Sequence, residues 1–95
     1  MPSYRVSLAV GLLQPGVDPA DVLPAAADAA RELVTVEAYD VGVVRGRARL
    51  TVRFTAEDDA AAHRVADAVH DRVDALADTF GGTLTRRWGG RWQPA

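Results

Sequence analysis

The sequence predicts an α+β domain, with two amphipathic helices packed on one face of a four-stranded antiparallel sheet. Three observations carry this expectation. From Val43 to Thr55 the residues alternate with period two, which marks a strand with one buried face. Stretches before and after it repeat apolar residues at spacings of three and four, as helices resting on a core do. Turn residues separate these segments in the order β-α-β-β-α-β.

The first strand is expected over Tyr4 to Leu12. Tyr4, Val6, Leu8, Val10 and Leu12 share one face, and Gln14-Pro15-Gly16 ends it. Asp18 or Asp21 then caps the first helix. Asp18-Pro19 reads as a helix start, but Pro24 would break a regular helix unless it falls in the first turn. The expectation is a loose first turn from Pro19, then a helix to about Leu33, with Leu23, Ala26, Ala27, Ala30 and Leu33 buried. Val34 to Asp40 is the second strand. Val41-Gly42 is the expected tight connection into the third.

In that third strand Gly46, Ala48, Leu50, Val52 and Phe54 point to the core, and Arg45, Arg47, Arg49, Thr51 and Arg53 point away. The second helix is expected over Ala56 to Thr79. Thr55 is its cap, Asp58 completes a capping box, and Ala62, Val65, Ala66, Val69, Val73, Leu76 and Ala77 form the buried stripe. Gly81-Gly82 stops it, and Thr83 to Trp88 is the fourth strand. Residues 89–95 form either a short return strand or a tail.

This order, with right-handed crossovers, gives a sheet of order 4-1-3-2 with both helices on one face. That is the ferredoxin-like sandwich, a single domain spanning residues 1–95. The fold hosts many functions and fixes none.

Composition narrows the classes. At 95 residues the chain suits one domain, though alanine supplies much of its 48% hydrophobic content and the core should be thin. The absence of cysteine excludes disulfides, thiolate catalysis and cysteine-bound metals. No apolar run reaches the roughly 18 residues of a membrane span, and no signal peptide is visible; a cytoplasmic location follows by default. The net charge of −2 conceals segregation. Positions 57–78 hold Glu57, Asp58, Asp59, Asp67, Asp71, Asp74 and Asp78 against Arg64 and Arg72, whereas 43–55 hold four arginines and no acid.

The outward sets of the strands place Arg5, Arg45, Arg47, Arg49, Arg53 and Arg87 on one sheet face, with Glu37 and Tyr39 from the second strand. Arg45-Gly46-Arg47-Ala48-Arg49-Leu50 resembles the third-strand motif of RNA-recognition domains, with arginine at both aromatic positions. What that resemblance implies is single-stranded RNA on this face. The plainer alternatives are a solvated face, or arginines paired with acids of another subunit. Trp88, Arg91 and Trp92 are either an interface cluster or simple packing, as tryptophan and arginine are common in interface hot spots.

His63, Asp67, His70 and Asp74 share one stripe of the second helix at about 100° per residue. They are suitable ligand types for zinc, manganese or iron, but the stripe runs along about three turns of about 5.4 Å each, and i,i+4 contacts account for it. No Ser-His-Asp pattern and no glycine-rich phosphate loop occurs. The expected function is a non-catalytic module that self-associates or binds a protein partner through the arginine face and the C-terminal strand, without a cofactor. Nucleic-acid or anionic-ligand binding on that face is the alternative, and a small metal-dependent enzyme comes after it.

Overall fold

The computed structural model describes residues 1–95 and is α+β, with two helices against an antiparallel sheet. The elements are β1 (Ser3–Leu13), α1 (Pro19–Arg31), β2 (Val36–Val44), β3 (Arg47–Thr55), α2 (Asp59–Asp74), β4 (Ala77–Trp88) and β5 (Arg91–Pro94). The sheet has five strands, not the expected four, in the order β2-β3-β1-β4-β5. The chain reverses at Gly89-Gly90, and Arg91–Pro94 pairs with Thr85–Trp88. The return-strand alternative for residues 89–95 is therefore the correct one, and β4 is an interior strand.

The core lies between the sheet and the helices. Tyr4, Val6, Leu8 and Val10 of β1 alternate into it, as do Leu50, Val52 and Phe54 of β3. Val22, Ala26, Ala29 and Ala30 of α1 and Ala62, Val65, Val69 and Val73 of α2 close it from above. The two helices touch each other, which the small alanine side chains permit. Burying one such valine side chain is worth about 1.5–3 kcal/mol.

Several local expectations are corrected. The hairpin turns at Arg45-Gly46, with φ of 54° and 75°, rather than at Val41-Gly42. A two-residue turn with both central residues left-handed matches the twist of the flanking strands. β2 is consequently longer than expected and runs to Val44.

The second helix is shorter. Its cap is Asp58, whose side chain accepts from the Ala61 N–H at 2.8 Å, and it ends at Asp74. Residues 77–80 belong to β4 instead, because β1 reaches Leu13 and takes Ala77 as its pairing partner there. Gly81-Gly82 is not a helix stop. It lies where Ser7 pairs with Thr83 but Ala9 with Phe80, so β4 bulges there, with Gly81 at φ 58°.

A second irregularity lies between Val10 and Leu13 of β1, opposite Thr79 and Ala77. It shifts the alternation by one residue. Leu12 is exposed, and Leu13 packs against the core in its place.

In α1 the cap is Asp18, which accepts from the Ala20 N–H at 2.9 Å, with Pro19 at the first position and Pro24 held inside the helix. The helix is regular from Pro19 and buries Val22 and Ala29, while Leu33 is exposed beyond its end.

Candidate functional site

The sheet face opposite the helices is assembled from alternate residues of all five strands. β3 contributes Arg47, Arg49, Thr51 and Arg53, and β1 contributes Arg5, Ser7 and Ala9 in register beside them. β4 adds Phe80, Thr83, Thr85 and Arg87. β5 adds Trp92, which is opposite Arg87.

Three of these arginines lie over aromatic rings. Trp92 has the Arg5 guanidinium 4.0 Å and the Arg53 guanidinium 5.2 Å from its ring centre. Phe80 carries Arg47 at 4.4 Å. A cation–π contact of this kind holds the charge over the ring by about 0.5–1 kcal/mol at an exposed site. Arg49 Nη2 donates to the Gly81 carbonyl at 3.1 Å, across the bulge of β4. Arg87 Nε donates to the Gly89 carbonyl at 2.8 Å.

Three carboxylates share this face; Asp40 lies opposite Thr51 and Asp78 stands beside Phe80, and neither forms an ion pair. Glu37 accepts from Ser3 Oγ at 2.7 Å and stands 3.5 Å from Arg53 Nε. It reaches this face because Glu37 and Ala38 both lie opposite Arg53, a bulge in β2. Arg53 Nε is buried without a hydrogen-bond partner. Arg5, Arg45, Arg47, Arg49 and Arg87 make no ion pair.

Of the expected site residues, Arg5, Glu37, Arg47, Arg49, Arg53, Arg87 and Trp92 therefore share this face. Arg45 sits in the β2–β3 turn at its rim. Tyr39 does not belong to it. The β2 bulge shifts the alternation, so Tyr39 pairs with Val52 on the helix side, where Arg31 of α1 lies 5.0 Å from its ring. Trp88 and Arg91 are also on the helix side, opposite each other, with Arg86 stacked 3.9 Å from Trp88. Trp88 is half exposed.

Arg45, Arg47 and Arg49 line an open hollow of about 370 Å³ with Phe80, Ala9 and Val44. No carboxylate lines it. Three guanidinium groups line it, a chemistry suited to carboxylates and phosphates.

A second polar cluster escaped the sequence reading. Tyr4, buried in the core, donates from its hydroxyl to Asp59 Oδ1 at 2.7 Å, and Arg86 Nη1 donates to the same oxygen at 3.0 Å. Burial first, and then the bond to Asp59, push the Tyr4 phenol up to about 12. The Tyr4 hydrogen bond and the Arg86 guanidinium hold Asp59 below its ordinary carboxylate value. Tyr4 was legible as a core residue. Its link to Asp59 was not, because it joins positions 55 residues apart.

His63, Asp67, His70 and Asp74 of α2 do not converge. His63 Nε2 is 3.1 Å from the Ala95 carbonyl, and His70 Nε2 is 2.9 Å from Thr79 Oγ1. Thr79 in turn donates to Asp74 Oδ1 at 3.0 Å, so this stripe ties the helix to β4. No three of its side chains gather around one point. No helix is long and apolar enough to cross a membrane. No protein-family model and no curated protein matches the chain.

Proposed function

We propose that this chain is a non-catalytic, ferredoxin-like module, extended by a fifth strand, that binds acidic groups of a protein partner through its arginine face and C-terminal strand. The observation that carries this reading is the state of the arginines. Five of them share one sheet face or its rim with no ion-pair partner, and three arginines of that face are pre-oriented on Phe80 and Trp92. A guanidinium stacked on a ring has already lost much of its rotamer freedom, so less is lost when a carboxylate docks. β5 is part of the surface because it supplies Trp92.

A further copy of the chain is a candidate partner, since α2 exposes Asp67, Asp71 and Asp74. The cysteine-free composition fits a reducing compartment, and the proposal places the module in the cytoplasm.

The second reading is an anionic ligand or nucleic acid, favoured by the acid-free hollow between Arg45, Arg47 and Arg49. Trp92 distinguishes the two. In a Trp88→Phe background its emission reports on the face alone. Titration with a poly-glutamate peptide is expected to change that emission, and Arg47→Glu with Arg49→Glu to weaken the binding at least tenfold. Single-stranded RNA binding more tightly than the peptide, and falling steeply with salt, would favour the second reading instead.

A further inference from the structure

The sheet has two edges, and they are built differently. β5 is four residues long and ends at Pro94, a short edge carrying a residue that cannot donate a backbone hydrogen bond. β2 is nine residues long, and every residue from Glu37 to Val44 is exposed. Tyr39, Val41, Val43 and Val44 are 42%, 53%, 77% and 52% exposed. A long apolar edge of this kind is a template for another strand.

The register shows which backbone groups are available. Val44 and Arg47 close the two-residue turn, so they form a hydrogen-bonded pair. Hydrogen-bonded and non-bonded pairs alternate along an antiparallel ladder. Gly42 with Arg49 and Asp40 with Thr51 are therefore bonded pairs, and Tyr39, Val41 and Val43 direct their N–H and C=O groups away from β3. These are the same residues whose apolar side chains stand exposed on the helix side. Val41 borders an apolar groove of about 260 Å³ with Leu23, Pro19 and Leu50.

β2 is also complementary to itself. In an antiparallel pair centred on Val41, Val41 meets Val41 and Tyr39 meets Val43 of the second copy. Asp40 meets Gly42, and Ala38 meets Val44. Aromatic and β-branched residues are favourable cross-strand pairs. Centring on Asp40 would set two aspartates against each other. Centring on Gly42 would run Tyr39 into the turn.

We propose that two copies of this chain pair edge to edge through β2, antiparallel and centred on Val41, to make one continuous sheet. The twofold axis runs through the sheet, so both helix layers lie on one side and both arginine faces on the other. The dimer is a bivalent version of the binding face, and its formation does not depend on what that face binds.

The test combines solution mass with amide hydrogen exchange. At micromolar concentration the chain is expected at twice its 10.1 kDa mass, and still so in about 0.5 M salt, where exposed charge pairs are screened. The amides of Tyr39, Val41 and Val43 are expected to be protected. Val41→Lys should halve the mass and release those three amides at least tenfold faster, while those of Asp40, Gly42 and Val44 stay protected by β3. Arg47→Glu with Arg49→Glu should leave the mass at the dimer value. A monomer at these concentrations would overturn the proposal. So would a dimer in which the three amides exchange freely, or one that Val41→Lys leaves intact.

Discussion

The Tyr4 hydroxyl donates to Asp59 Oδ1 across 2.7 Å, joining the interior of β1 to the first turn of α2. Asp59 is held from the other side by Arg86 of β4, whose guanidinium lies 5.9 Å from the Tyr4 ring. Three elements distant in sequence thus meet at one carboxylate, beside the stacked rings of Tyr4 and Phe54.

Tyr4→Phe removes the donor and keeps the ring. Asp59 retains Arg86, so the expected loss is about 1 kcal/mol. Tyr4→Ala also empties a core site and should cost about 3–5 kcal/mol. Urea unfolding monitored by circular dichroism reads both. Equal losses for the two variants would mean that the ring contributes nothing beyond the hydrogen bond.

The same cluster sets a pH dependence. The Tyr4 phenol is raised from 10.0 to about 12 in the folded chain, so its contribution is complete below pH 10 and is lost as pH rises to about 12. Asp59 is lowered, so its contribution is present above the ordinary carboxylate value of 3.8 and is lost as pH falls below it. The urea midpoint should decline at both extremes. In Tyr4→Phe the alkaline decline should flatten between pH 10 and about 12.

Gly11 lies against the ring that carries Arg47. A Cβ at Gly11 would stand 2.7 Å from Phe80 Cε2, so the ring must move. Gly11→Ala is expected to leave the fold intact, displace Phe80 and loosen Arg47, weakening poly-glutamate binding about twofold to fivefold, given about 0.5–1 kcal/mol in the stack. Calorimetric titration of the variant checks this. Binding unchanged despite a displaced Phe80 ring would show that Arg47 does not need its platform.

Much of this arrangement was legible in the chain. Leu50, Val52 and Phe54 alternate with Thr51 and Arg53 in the sequence and in the structure, because one face of β3 is buried and the other is not. The end of α2 was not legible. Val73, Leu76, Ala77 and Phe80 keep helical spacing, yet pairing with β1 takes Ala77–Phe80 into β4. Nor does local sequence announce the bulge at Glu37-Ala38, which sends Tyr39 to the helix side while leaving Glu37 among the arginines. Trp92 was recognised as a candidate, but its position between Arg5 and Arg53 follows only from the fifth strand. Long-range pairing decides each of these features, and periodicity within a segment does not report it.

Trp92 ties β5 to the centre of the sheet through Arg5 and Arg53. Trp92→Ala should destabilise the domain by about 1–2 kcal/mol, from two lost stacks and the lost ring burial. It should also release the amides of Arg86 and Trp88, the strand that β5 covers, to faster exchange. Stability equal to that of the parent chain would show that β5 is held by its backbone alone.

The most direct test of the binding face is chemical-shift mapping of the isotope-labelled protein during titration with poly-glutamate peptide. The account predicts that the largest changes fall on the Trp92 indole N–H, the arginine side-chain N–H groups of Arg5, Arg49 and Arg53, and the Thr83 amide, all on or beside the sheet face opposite the helices. Changes confined to α1 and α2, with those signals unmoved at saturation, would contradict it.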